Sequence, residues 1–512
     1  MTLPAILDRR WHRLGTLLCT VTLVVAPNFT RAAENLQLPD IGDSSSGLLS
    51  PAEEERLGQA FMRSLRGKLK LVEEPEMVDY IQALGSRLTA ANDARGREFR
   101  FFLVDDPSIN AFAGPAGHIG INTGLILATQ SESELAAVMA HEIAHVTQHH
   151  LLRTFEAASH MSLPTAALLL AGIVLGAASG SNDIAQAAVV GVQAGAAQMQ
   201  INFTRANEQE ADRIGIQILS ETGFDPHSMP GFFERMERAT RLYASDTPEF
   251  LRTHPVSTSR IADSKTRAES YPYRQYPDDL RYHLLRAQLR VRAITDPDEA
   301  VRSFRQSLAE ERYRNQAAER FGLALALTRA KDYGAARNTL GPLIKADPGR
   351  SEYVIALAAI EQRAGNLATA TRILHQALEI APNNHPLTLH YAQTLLDDGK
   401  AGQAATILER QLADHPDDAG LYKLLSQAAG AAGHESEGHQ YLAEYHYLNG
   451  RLEQAVEHLK LALKIKGIDF YQRETLDARL KQVKEELDAL DKDEKEAARD
   501  TQRRPARNLP SR

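Results

Sequence analysis

Three prolines, Pro348, Pro382 and Pro416, stand 34 residues apart in a chain of 512. An alanine stands twelve residues before each: Ala336, Ala370 and Ala404. Earlier in each unit Ala324, Ala358 and Ala392 repeat, preceded by Leu323, Leu357 and Tyr391. A period of this length is one supersecondary unit, two helices that approach closely where side chains are small, closed by a proline that cannot continue a helix. Such a unit cannot bury its apolar face alone, so neighbours must stack into a solenoid. Three units are well marked over about 317–416 and a degenerate one precedes them (Leu284, Ala300, Phe304). The register slips near Gly430, yet Ala455, Leu459 and Ala462 keep the second-helix pattern. The expectation is roughly four to six helix pairs, over residues 280–487.

The chain before these repeats reads differently. Ser50, Pro51 and Glu53 form an N-cap, a first helical position and a capping box. A second helix is predicted from Pro75 to Ala91, with Met77, Ile81, Leu84 and Leu88 as its apolar stripe. The convincing β signals are Phe99–Val104, Asn110–Gly114 and His118–Gly124, the last with period-two alternation and glycines that suit close backbone approach. Its strand residues Ile119, Gly120, Ile121, Asn122 and Thr123 are expected to form an open edge that pairs with an extended substrate. Ser131 and Glu134 cap a helix that runs to His150 and buries Leu135, Val138, Met139, Ile143 and Val146. More helices are expected around Glu208–Asp212 and over Pro226–Thr240, and the Tyr- and Pro-rich stretch Tyr271–Pro277 marks a domain boundary. The fold class is therefore α+β over 34–270, mainly helical with a small sheet, followed by an all-α solenoid. A charged tail, 488–512, is expected to be disordered.

The N-terminus reads as a targeting segment. Arg9, Arg10, His12 and Arg13 precede the apolar run Leu14–Val25, and small residues follow at Thr30, Ala32 and Ala33. The run is too short to span a bilayer and fits a secretory signal peptide within 1–33, cut after Ala32, with an uncleaved anchor as the alternative. Leu18 precedes Cys19 where a lipoprotein signal wants a small residue, which argues against lipidation. Cys19 is the only cysteine. The exported chain then needs no disulfide, and a metal site must use His, Asp or Glu. A net charge of −8, from 58 basic and 66 acidic side chains, argues against nucleic acid as the main partner. Leu163–Ala178 is strongly apolar, but Pro164, Gly172 and Gly176 and its length of 16 residues oppose a full span. With Ile184–Gln198 it reads as a helical hairpin or lid, with peripheral membrane contact as a further option.

The chemistry concentrates in His141-Glu142-Ile143-Ala144-His145. Residues four apart share a helix face, so both imidazoles can meet one metal ion. Glu142 is turned about 100° from His141 and can stand beside the ion without ligating it. There it can take a proton from an attacking water and return it to a leaving amine. The alternative is an exposed polar helix face. A catalytic zinc takes three protein ligands and keeps one position open. Gln148 and Leu151 stand where a metzincin continues with Gly and His. A straight helix does not easily bring His149 to the same ion, so His149 and His150 are expected to be polar helix-end residues. Downstream, Glu208 and Asp212 share a face while Glu210 is turned about 200° from Glu208. Two readings stay open. Glu208 is the third ligand and Asp212 accepts the second N–H of a ligand histidine, or both pair with Arg205 and Arg213 on a surface helix.

The set His141-Glu142-x-x-His145, Asn110-Ala111-Phe112-Ala113, Asn122-Thr123-Gly124-Leu125 and Glu208-x-x-Ala211-Asp212 resembles the gluzincin family of HtpX and the CAAX prenyl protease. The signal peptide and repeats, which resemble tetratricopeptide repeats, are similar to a periplasmic branch of that family. The motifs cover about 50–265 and the repeats extend the likeness to roughly 485. The resemblance implies a zincin-like protease domain and one Zn2+ per chain held by His141, His145 and Glu208. It implies Glu142 as the catalytic residue and Asp212 behind a ligand histidine. It also implies a periplasmic endopeptidase with chaperone-like activity in outer-membrane protein assembly and quality control. Unfolded or stalled outer-membrane proteins would be its clients, and its repeats would contact the barrel assembly machinery. The likeness includes His254-Pro255 followed by Arg260-Ile261. His254 is expected as a fourth ligand that replaces the water or as an oxyanion donor, against a locally bonded loop histidine. Pro115-Ala116-Gly117 departs from the pattern, since relatives often carry a double glycine there. The rival readings are a repeat-based chaperone or scaffold with a non-catalytic metal site, and an integral membrane protease spanning at 163–178.

Overall fold

The computed structural model describes residues 50–90, 97–151, 170–172, 205–242 and 248–503. The expected signal peptide and nearly all of the 163–198 hairpin lie outside them. Helix α1 (Pro51–Arg66) starts as predicted: Ser50 Oγ accepts from the Glu53 N–H at 3.3 Å, and the Glu53 carboxylate accepts from the Ser50 N–H at 2.8 Å. Helix α2 (Pro75–Thr89) leads to strands β1 (Arg100–Val104), β2 (Ala111–Ala113) and β3 (His118–Asn122). Their order is β1-β3-β2, with β1 parallel and β2 antiparallel to β3.

That order corrects one expectation. The strand Ile119–Asn122 is interior, its main chain engaged on both sides, and Thr123 already begins helix α3 (Thr123–Ala128). The outer strands are β1 and β2, and among the described residues no further strand pairs with β2. A tight turn at Pro115–Gly117 folds β3 back on β2, with Ala116 at φ 53° and Gly117 at φ 73°. Glycine takes this left-handed conformation freely, whereas alanine carries a cost of roughly 1–2 kcal/mol, which is the physical sense of a double glycine here. Gly120 is needed for a different reason: a Cβ there would lie 2.4 Å from the Phe112 ring that crosses β3.

The motif helix α4 (Glu132–Thr147) is capped by Ser131 Oγ, which accepts from the Glu134 N–H at 3.2 Å. The Glu134 carboxylate does not close the box. It takes the Gln130 N–H at 2.5 Å and the Arg235 Nη2 at 2.6 Å. Every residue from Glu132 to Val146 is buried, so α4 is a core helix on all sides rather than a one-faced surface helix. It packs against α5 (Arg205–Thr222), α6 (Ser228–Leu242) and β2, and α7 (Glu249–Thr253) and α8 (Thr258–Ala268) follow.

Twelve further helices run from α9 (Leu280–Ala293) to α20 (Phe470–Arg503) among the described residues. The break at Tyr271–Pro277 is one of secondary structure, not of packing. Tyr282, Leu285 and Leu289 of α9 sit in the same core as α2, the sheet and α4. Glu76 of α2 meets His390 of α15 (His385–Asp397) at 3.1 Å and Gln288 at 3.0 Å. The expected disordered tail is helical as far as Arg503, because its Ala, Glu and Lys residues favour a helix despite their charge. Among the described residues no helix is long and apolar enough to cross a membrane.

Candidate metal centre

Helix α4 presents His141 and His145 one turn apart, with their Nε2 atoms at 3.0 Å. Helix α5 brings Glu208, whose Oε2 is 3.5 Å from His141 Nε2 and whose Oε1 is 3.5 Å from His145 Nε2. His254, immediately after α7, adds Nδ1 at 3.0 Å from Glu208 Oε1 and 3.4 Å from His141 Nε2. All four side chains are buried, and their donor atoms lie within 4.8 Å of one another. A tetrahedral ion with bonds of about 2.0–2.2 Å separates its ligand atoms by about 3.3–3.6 Å. The five separations here run from 3.0 to 3.5 Å. The donor set and its spacing fit a metal ion.

The electrostatics agree. Burial, with His141 alongside, holds the His145 imidazolium well below its ordinary range, so the ring is neutral. Burial works to raise Glu208, yet His254 and His141 hold it well below the usual carboxylate range. Burial also opposes charge on His141, but Asp212 and Glu208 outweigh it and raise the ring to about 9. A bound metal would displace that proton. Glu142 stands beside the cluster, with Oε1 3.5 Å from His254 Nε2. Burial pushes its carboxyl up, and both oxygens are buried without completing a hydrogen bond among the described residues.

Behind the ligands lie residues of two kinds. His141 Nδ1 is 3.0 Å from Asp212 Oδ1, which stands behind the ring. Arg260 forks onto Asp212, Nε to Oδ2 and Nη2 to Oδ1, both at 2.8 Å. Its Nη1 also reaches Glu208 Oε2 at 2.7 Å and donates to the Pro255 carbonyl at 2.8 Å. The two carboxylates thus do pair with arginine, but with Arg260 from α8. Arg205 is exposed, and Arg213 lies 3.8 Å from Glu210. The His254 ring stacks on Phe250 at 5.0 Å between centroids, and the His254 backbone N–H donates to the Phe250 carbonyl at 2.8 Å.

His150 departs from expectation. It is buried, not a polar helix end, with Nδ1 2.9 Å from His145 Nδ1 and Nε2 3.2 Å from Glu210 Oε2. His149 does lie at the helix end, with Nε2 3.0 Å from Arg97 Nη2. Sequence reasoning missed His150 because it assumed an unbroken helix. The role of Arg260 had a signal, its place after His254-Pro255, but no partner was assigned to it.

The interior strand β3 does not supply the substrate edge. The Asn122 N–H donates to the Asn110 carbonyl at 3.0 Å and the Gly114 N–H to the His118 carbonyl at 2.7 Å. Alternate residues of β2 therefore face β3, and Ala111 and Ala113 turn their main chain the other way. The Ala113 backbone lies against the Glu142 carboxyl.

The family model described as peptidase family M48 matches residues 75–268, and a tetratricopeptide repeat model matches residues 362–428. The beta-barrel assembly-enhancing protease of Escherichia coli (strain K12) is 35% identical over 473 residues, 92% of this chain and 96% of that protein. The putative beta-barrel assembly-enhancing protease of Vibrio cholerae serotype O1 is 38% identical over 472 residues, 91% of this chain and 96% of its own. The mitochondrial metalloendopeptidase OMA1 of Danio rerio is 28% identical over 263 residues, 49% of this chain and 54% of that protein.

Proposed function

Because the chain belongs to peptidase family M48, among the beta-barrel assembly-enhancing proteases, it is a metalloprotease, and we propose that it is a periplasmic zinc endopeptidase acting on outer-membrane proteins. His141, His145 and Glu208 would hold one Zn2+, which when bound polarises a scissile carbonyl and acidifies a water. Glu142 takes the proton of the attacking water and passes it to the leaving amine, and its raised carboxyl is the stronger base for that step. Asp212 accepts the His141 Nδ1 proton and leaves Nε2 for the metal. The side of β2 that faces away from β3, at Ala111 and Ala113, pairs with an extended substrate, replacing β3 in that role. Main-chain pairing gives weak side-chain selectivity and a preference for unfolded segments. His254 Nδ1 fills the fourth corner of the cluster, so this arrangement is a closed one. His254 must swing off Glu208 to admit a carbonyl, and its other role, donating to the oxyanion, begins there.

The relatives' name, beta-barrel assembly-enhancing protease, supports a role in β-barrel assembly, and this reading assigns unfolded or stalled outer-membrane barrel proteins as the clients. On this reading residues 1–33 direct export, residues 34–270 form the protease, and the repeats of 280–487 contact the barrel assembly machinery and give chaperone-like activity. One observation carries the enzymatic part: four buried donors within 4.8 Å of one another, with the Glu142 carboxyl buried beside them. A scaffold with a non-catalytic metal gives Glu142 no reason to be there. Glu142→Gln should lower cleavage of a denatured barrel protein by roughly 10²–10⁴-fold while the metal is retained. Undiminished cleavage would overturn the mechanism.

A further inference from the structure

We propose that His150 is a positioning residue for His145, the middle member of a Glu210–His150–His145 chain that presents the His145 Nε2 lone pair to the metal. The proposal rests on the metal-site reading above. In an unbroken helix residue 149 would lie one turn beyond His145, and residue 150 would be turned about 140° from it. Helix α4 is not unbroken: it ends at Thr147, and His149 takes φ 53°. One left-handed residue reverses the chain and returns His150 beneath His145. The two rings meet edge-on, 5.0 Å between centroids and 72° between planes, and His150 is 0% exposed. A non-glycine residue held left-handed is strained, and here the strain sets a buried histidine against a ligand.

The protons can be counted. Two Nδ1 atoms at 2.9 Å share one proton between them. If His145 ligates through Nε2, its proton sits on Nδ1 and His150 Nδ1 accepts it. His150 then carries its own proton on Nε2, which faces Glu210 Oε2 at 3.2 Å. The opposite arrangement would put a proton on His145 Nε2, in the middle of the donor cluster. Glu210, through His150, selects the tautomer that the metal needs. Glu210 is turned away from the cluster, so its part is not visible from the ligands alone.

The test is zinc affinity of the full chain, measured by competition with a chromogenic chelator, beside thermal unfolding of the metal-free protein. His150→Phe fills the space without an acceptor and should weaken zinc binding by roughly 10–100-fold. His150→Gln can accept from His145 and donate to Glu210, so it should recover most of that loss. Glu210→Ala should weaken binding by a smaller factor. A folded His150→Phe variant with wild-type affinity overturns the proposal, and so does equal weakening by Phe and Gln, which would mean ring packing rather than a hydrogen bond. If the Phe variant does not fold, the other two decide: wild-type affinity in Glu210→Ala overturns the chain. A wild-type protein that takes up no zinc overturns the metal-site reading and this inference with it.

Discussion

The two histidines of α4 that stand in the candidate metal centre are held from behind in opposite ways. His141 backs onto Asp212, and the Arg260 guanidinium clamps Asp212, with every member buried. His145 backs onto the ring of His150, which leads to Glu210, whose side chain is 33% exposed. Both arrangements leave Nε2 for the metal. A carboxylate can stay in the interior beside His141 because a matching cation comes with it. Beside His145 the His150 ring carries the contact on to Glu210, a carboxylate that water already solvates.

The contrast predicts unequal costs. Asp212→Ala leaves the Arg260 charge buried and half unpaired, and should destabilise the metal-free protein by about 3–5 kcal/mol in denaturant unfolding. Removing both partners, as Asp212→Ala with Arg260→Met, should cost less than the sum of the single changes. A strictly additive double variant would break the claim that the pair compensates itself.

Glu249 sharpens the comparison, being a buried carboxyl without such a clamp. Burial raises it to about 7, against the weaker pull of Arg252 and of Ser108 Oγ, which donates at 3.3 Å. Its Oε1 is buried and completes no hydrogen bond among the described residues. The folded protein holds this proton more tightly than the unfolded chain, so the group costs stability as pH rises from about 4.5 to about 7, and no further above that. Glu249→Gln should therefore match the wild type at pH 4 and be more stable at pH 8 by about 1–2 kcal/mol, after discounting for solvent screening. A melting-temperature series across that range checks it, and a gain at pH 4 as large as at pH 8 would refute the assignment. The smallest effect belongs to Glu210→Ala, which should cost under about 1 kcal/mol of stability. A loss equal to that of Asp212→Ala would erase the distinction between the two arms.

The local features were legible because they rest on spacing within one element. The Ser50 cap, the shared face of His141 and His145, and that of Glu208 and Asp212 follow from helix geometry alone. His254 was brought to the cluster by resemblance, not by spacing, and its Nδ1 stands among the donors. His150 was hidden by a single left-handed residue, since periodicity does not announce where a helix breaks. The interior place of β3 was hidden because alternation shows which faces are buried, not which neighbours pair.

By itself, then, the sequence determined the elements, their caps, the repeat period and the residue types able to hold a metal, all of which depend on contacts a few residues apart. Only the tertiary structure decided which charges meet. Arg260 rather than Arg205 or Arg213 neutralises Asp212 and Glu208, and Glu210 reaches His145 through His150. The reason is burial. Once α4 is enclosed on every side, each buried charge needs a partner delivered by another element, and where that partner sits in the chain carries no local signal.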